Sequence, residues 1–114
     1  MAASDHLSGQ FGMVRYYEGH VHPGQLNPRQ ASTIPSKVDR LTARMAQHGY
    51  EGLPPVETSY TQGQVDIRDG HHRHAAALAT GTEVHAIGVS GRGDIPPGMS
   101  EISKDRYDTI WGTL

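Results

Sequence analysis

Apolar and polar positions along the chain alternate in two rhythms, and the change of rhythm marks the elements. Met13 to Val21 reads MVRYYEGHV, a run of β-formers that predicts a first strand. Asn27-Pro28 marks a turn or extended loop. In TIPSKVDRLTARMAQHGY, Val38, Leu41, Thr42 and Met45 fall on one face of a helix. Thr33 or Ser36 is placed to cap that helix, with Asp39 three residues after Ser36, and Gly49 to end it. LPPVETSY follows as a short strand, and TQGQ as a tight connection. In VDIRD, Val65 and Ile67 alternate with Asp66 and Arg68, as in a strand with one face buried, and the two strands form a hairpin. HHRHAAALAT is helical by its alanines and stops at Gly81. Glu83 to Val89 is another strand, SGRGDIPPGM a loop, and SEISKDRYDTIWGTL a last short helix docking through Ile102, Tyr107, Ile110 and Trp111. The order strand, helix, strand, strand, helix, strand, helix predicts an α/β (α+β) chain with a small mixed sheet flanked by helices. A polar leader over residues 1–12 precedes one domain over 13–114.

Composition narrows the function classes. The 114 residues carry a formal charge of −2, so a general polyanion binder is disfavoured and any basic site must be local. There is no cysteine, which removes disulfides, thiolate catalysis and cysteine-based zinc sites. No signal-peptide pattern and no apolar run of about 20 residues occurs, so the expectation is a cytoplasmic chain with no membrane partner.

The chemistry concentrates in IRDGHHRHAAALATG. Asp69-Gly70 closes a strand and the alanine helix begins at His71 or His72. A helix N-terminus offers unpaired N–H groups and partial positive charge. Gly70 lets a ligand approach the backbone. Arg73 supplies a fork of donors suited to phosphate, and His72 a further donor. Together these describe an anion pocket, with phosphate its commonest occupant. No Walker lysine or glycine triplet accompanies it.

VDIRDGHHRHAAALATGTEVHAIGV resembles the signature of the ParB/sulfiredoxin-like superfamily: a strand, a Gly-x-His-Arg loop, an Ala-rich helix, a Gly stop and a valine-rich strand. VHPGQLNPRQ resembles the Asn-Pro element that follows the first strand of ParB domains, and the resemblance covers Val14 to Val89. It implies a compact ParB/sulfiredoxin-like domain that binds a nucleotide or a phosphorylated small molecule. Gly70, His71, His72 and Arg73 then form the phosphate loop, with His74 counted among the binding residues and Arg29 as a second phosphate contact. NTP hydrolysis or phosphotransfer would follow, with Asp69, His71 and His72 as the catalytic candidates and Mg²⁺ arriving with the nucleotide, held mainly by water and ligand phosphates. Sulfiredoxins carry their reactive cysteine where this chain has His71, so sulfiredoxin activity is excluded. Partition proteins carry Gly-Glu-Arg-Arg at this loop and a helix-turn-helix domain, both missing here, which disfavours a CTP-gated DNA clamp. Two alternatives stand beside the nucleotide reading. One is a ParB-like nuclease, with histidines as acid or base and only weak DNA affinity at this net charge. The other is a non-enzymatic interaction or structural module of a phage or mobile element, working in a homo-oligomer or protein assembly.

Other constellations are weaker. His20 and His22 would face one side of a strand as a feasible metal pair, but no residue is assigned as a metal ligand. Glu18, Glu57 and Asp66 are candidate acids or bases that read more simply as surface carboxylates. The Arg92-Gly93-Asp94 triplet carries no weight in a glycine-rich loop.

Overall fold

A computed structural model describes residues 14–30, 32–91 and 93–112. The expected leader over 1–12, the strand start at Met13 and Arg92 of the Arg-Gly-Asp triplet lie outside the described residues. The elements run β1 (Arg15–Val21), a 3-10 turn (Pro23–Gln25), β2 (Leu26–Asn27), α1 (Pro35–His48), β3 (Val56–Thr61), β4 (Gln64–Asp69), α2 (His71–Thr80), β5 (Val84–Ser90), β6 (Ser100–Ile102) and α3 (Lys104–Gly112). The six strands form one mixed sheet in the order β2-β4-β3-β5-β1-β6. β3 pairs in parallel with β5 and β2 with β4; the remaining pairs are antiparallel.

Strand alternation sorts the faces. Val65 and Ile67 point inward from β4 while Asp66 and Arg68 do not, as their spacing predicts. Across the sheet, Val21 opposes Val84 and Gly19 opposes Ala86. Val21, Val65, Ile67, Val84 and Ala86 meet Met45 of α1 and Ala76 and Ala77 of α2 in a single buried cluster, so both helices cover the same face. The small alanines let α2 lie close to the sheet. α3 sits on the other face of β1, where Tyr107 packs on Tyr16 at 4.7 Å between ring centroids. Ile110 is buried there, which bears out the expected docking patch.

The β3–β4 hairpin turns through Gln62 and Gly63, both left-handed at φ +54 and +75. Two successive positive φ values define the tight turn whose twist suits a two-residue hairpin. β5 is the most deeply set strand, with five of its seven residues buried. A Cβ at Gly88 would collide with Tyr17 Oη and Thr58. That space admits a buried hydrogen bond between Tyr17 Oη and Thr58 Oγ1 at 2.8 Å. Burial pushes the Tyr17 phenol up to about 12.

Three expectations need correction. The N-cap of α1 is Ile34, neither Thr33 nor Ser36, and makes no side-chain cap bond. Pro35 takes the first helical position, where a missing N–H costs nothing, and the start is fixed from outside the helix, by a histidine of α2. The segment from Ser100 is not all helix: Ser100–Ile102 adds a short edge strand to β1, and Ser103 Oγ then accepts the Arg106 N–H at 3.0 Å to start α3. The third is β2, which reads as loop because two residues carry no period; Leu26 is buried and pairs with Val65.

Candidate functional site

α2 begins where β4 ends, at Gly70. Its φ of +104 lies in the left-handed region, and His74 N–H makes the first helical bond to Gly70 O at 2.9 Å. Asp69 Oδ1 accepts the Gly70 N–H at 3.0 Å. A Cβ on Gly70 would stand 3.0 Å from Arg73 Nη2 and 3.2 Å from Val56 Cγ2. Glycine is therefore required twice, by backbone conformation and by the guanidinium folded over it.

This junction opens into a cavity of about 520 Å³ between α1 and α2. Asp69, Gly70, His71, His72 and Arg73 all line it. The structure thus brings together five of the expected site residues. It also brings three cations that sequence reasoning missed: Lys37, Arg40 and Arg44 from α1. Their spacing of three and four residues is one helical stripe, and that pattern is legible in SKVDRLTAR. It escapes notice when the helix is read only for its apolar face. Leu41, Leu53 and Pro54 complete the wall with apolar surface.

Four cations therefore face one carboxylate, Asp69, in this lining. Arg44 is tethered, its Nη2 donating to Glu51 O at 3.2 Å. The side chains of Lys37 and Arg40 have no ion pair or hydrogen bond among the described residues. Arg73 Nη2 donates to Pro55 O at 3.3 Å, while its buried Nε has no partner among the described residues. Nearby Tyr50 donates to Pro54 O at 2.7 Å. Burial pushes the Tyr50 phenol up to about 12, against the opposing pull of Arg73.

The histidines divide by role. His71 Nε2 accepts the backbone N–H groups of Arg29 and Gln30, each at 3.1 Å. His72 Nε2 accepts the Ile34 N–H at 3.0 Å, which fixes the start of α1. A ring nitrogen that accepts an N–H carries no proton itself, so each of these bonds needs Nε2 unprotonated. His74 is set apart from the other expected binding residues. It is buried at 3 % exposure and donates through Nε2 to Pro23 O at 2.8 Å, tying α2 to the 3-10 turn. Burial lowers its pKa below the ordinary 6.5.

Arg29 lies beside the cavity, in a neighbouring recess with His71 and Arg68. Its guanidinium reaches Asp66 at 3.4 Å. Asp66 also accepts from the Asn27 amide at 2.8 Å and the Gln64 amide at 2.9 Å. The Asn27 bond is the main reason its carboxyl sits below the usual range. Asp66 thus anchors the Asn27–Arg29 stretch.

His20 and His22 do not form a pair. His22 caps the 3-10 turn, accepting the Gly24 N–H at Nδ1. His20 stacks on His85 of the neighbouring strand at 4.6 Å. His85 and Arg106 both bond Glu18, at 2.7 and 3.1 Å. Partial burial alone would raise the Glu18 carboxyl, but the bonds from Arg106 and His85 outweigh it and hold it below the usual range. Among the described residues no group of three or more histidines and carboxylates is placed to hold a metal ion.

The chain has the ParB/sulfiredoxin-like fold, a mixed sheet flanked by helices. Two solved structures carry that assignment. One is sulfiredoxin from Arabidopsis thaliana, with TM-score 0.52 and 15 % identity, covering 82 % of this chain and 96 % of that one. The other is the C-terminally truncated chromosome-partitioning protein ParB from Caulobacter crescentus complexed with CTP-γ-S, again with TM-score 0.52 and 15 % identity. That match covers 62 % of this chain and 43 % of the ParB chain. No protein-family model matches the sequence, and neither does any curated protein. Among the described residues no helix is long and apolar enough to cross a membrane.

Proposed function

We propose that the cavity between α1 and α2 binds a nucleotide or another phosphorylated small molecule. The observation that carries this reading is the lining charge, four cations against one carboxylate around the N-terminus of α2. The side chains of Lys37 and Arg40 stand unpaired among the described residues, as phosphate contacts would before a ligand arrives. The volume falls within the usual range for small-molecule sites, roughly 300–1,000 Å³. The apolar wall of Leu41, Leu53 and Pro54 suits a less polar part of the ligand. The likeness to a ParB solved with CTP-γ-S adds weight through the shared fold. Asp69 has one oxygen occupied by Gly70 N–H, so Mg²⁺ would arrive with the ligand, bound by its phosphates and water. Since His71 and His72 already spend Nε2 on backbone amides, the geometry favours binding over acid–base catalysis.

Thermal unfolding tests this. Wild type, Lys37→Ala/Arg40→Ala and Arg73→Ala are each heated with CTP, ATP, ADP, GTP or inorganic phosphate, with and without Mg²⁺. A ligand at about 100 times its Kd adds about 2.7 kcal/mol. In a domain of this size that is a rise in Tm of roughly ten degrees. The expected result is such a rise in wild type for at least one nucleotide, reduced in Lys37→Ala/Arg40→Ala and lost in Arg73→Ala. No rise with any of these ligands overturns the proposal. Phosphate release in the same mixtures reads out turnover.

A further inference from the structure

Between β2 and α1, residues 28–30 and 32–34 are in neither helix nor strand, and two imidazoles of α2 bond to this stretch. His71 takes Arg29 and Gln30, and His72 takes Ile34. Three backbone donors thus end on two ring nitrogens that belong to the proposed phosphate loop. Gln30 lines the same cavity, and Ile34 is the N-cap from which the basic stripe of α1 begins. The acceptors are therefore also the posts that set how α1 meets the pocket.

An imidazole nitrogen accepts only while its lone pair is free. Protonation at Nε2 turns each post into a donor facing a donor. The side chains around them are mostly basic. Arg73 from α2, Lys37, Arg40 and Arg44 from α1, and Arg68 and Arg29 from the flanking recess are all cationic. His74 adds a further titratable neighbour. Asp69 is the carboxylate in the cavity lining, and Asp66 is taken up by Asn27, Gln64 and Arg29. An anionic ligand would reverse that balance, because imidazolium donates to phosphate as the neutral posts do not.

We infer that His71 and His72 form a proton-sensitive clasp, closed on Arg29, Gln30 and Ile34 when neutral and released when protonated. The clasp rests on the proposed pocket, whose geometry it would regulate, but its contacts exist without any ligand. Release in acid frees both imidazoles to face the cavity, so phosphate binding would be coupled to proton uptake.

The test uses the ligand-free full chain, labelled with ¹⁵N. Imidazole shifts at neutral pH should show the proton of His71 and His72 on Nδ1. Amide-exchange protection at Arg29, Gln30 and Ile34 should fall about tenfold as the histidines are protonated, the loss of one modest hydrogen bond at each amide. Amides within β3 and β4 should keep theirs, which separates release from global unfolding. In His71→Gln/His72→Gln the side-chain oxygen can accept but takes up no proton, so protection should persist in acid. A proton on Nε2 at neutral pH overturns the inference. So does protection in wild type that does not change with pH, or protection in the double glutamine variant that still falls. None of these readings needs a ligand, so a pocket that binds no nucleotide would leave them unmoved and a failed clasp would leave the thermal-shift result unmoved.

Discussion

Gly70 and His74 sit four residues apart and show how single positions hold the site together. At Gly70, alanine meets both a left-handed backbone and the Arg73 guanidinium. Gly70→Ala should cost roughly 1–2 kcal/mol from the backbone alone, read by urea unfolding. The displaced guanidinium should also weaken the proposed nucleotide binding beyond what that loss of stability explains. His74 acts through protons. Its folded form titrates below the ordinary 6.5, so in acid the unfolded chain binds a proton that the folded chain refuses. Stability is therefore full above pH 6.5 and declines as the pH falls below it. Urea midpoints followed from neutral into mildly acidic pH should show that slope, and His74→Gln should flatten it. Sequence reasoning grouped Asp69, Gly70, His71, His72 and Arg73 because strand end, glycine and helix start are adjacent in the chain. It misjudged His74, since spacing along a helix start does not tell which side chain turns toward the core. Nor could it show that His71 and His72 reach back to Arg29, Gln30 and Ile34, a contact between distant parts of the chain.

Elements with a strong period were legible, while those made by pairing were not. α1, α2, β4 and the hairpin follow from apolar spacing and from Gly49, Gly63 and Gly81. β2 and β6 are two and three residues long and exist only because a neighbouring strand accepts them. The hairpin turn places Gln62 at φ +54, where asparagine is better suited. Gln62→Asn should stabilise by roughly 0.5 kcal/mol, measured as a shift in urea midpoint at unchanged slope. α3 is held by Tyr16, Ile110 and the Arg106–Glu18 pair. With Arg106 about half exposed, that pair is worth no more than about 1 kcal/mol. Because Glu18 is held below 4.5, the pair's contribution is present above that pH and lost as the carboxylate is protonated. Arg106→Ala should accordingly remove little stability, and should raise the Glu18 pKa as followed by carboxyl NMR.

For the molecule as a whole, the charge is divided in a way that the total conceals. A chain at −2 carries a basic recess, so its long-range pull on polyanions is weak while its local pull is strong. If the proposed pocket binds a nucleotide, affinity should fall with salt as the contacting cations are screened, and Lys37→Ala/Arg40→Ala should flatten that dependence, measured by titration between low and physiological ionic strength. Fold class was legible because the alternation of strands and helices is written along the chain itself. The strand order was not, because it is set by partners far apart in sequence. β5 lies near the middle of that order. It is the deepest strand, bonded on one side to β3 and on the other to β1, whose Arg15 must find Ser90. On a ribosome, β1 would emerge before β5 and wait with Tyr17 and Val21 uncovered until β5 has been made. Nascent chains ending before Val84 should therefore stay open to protease, and resistance should arrive in one step once β5 is out, leaving the strands made before it in need of shelter while they wait.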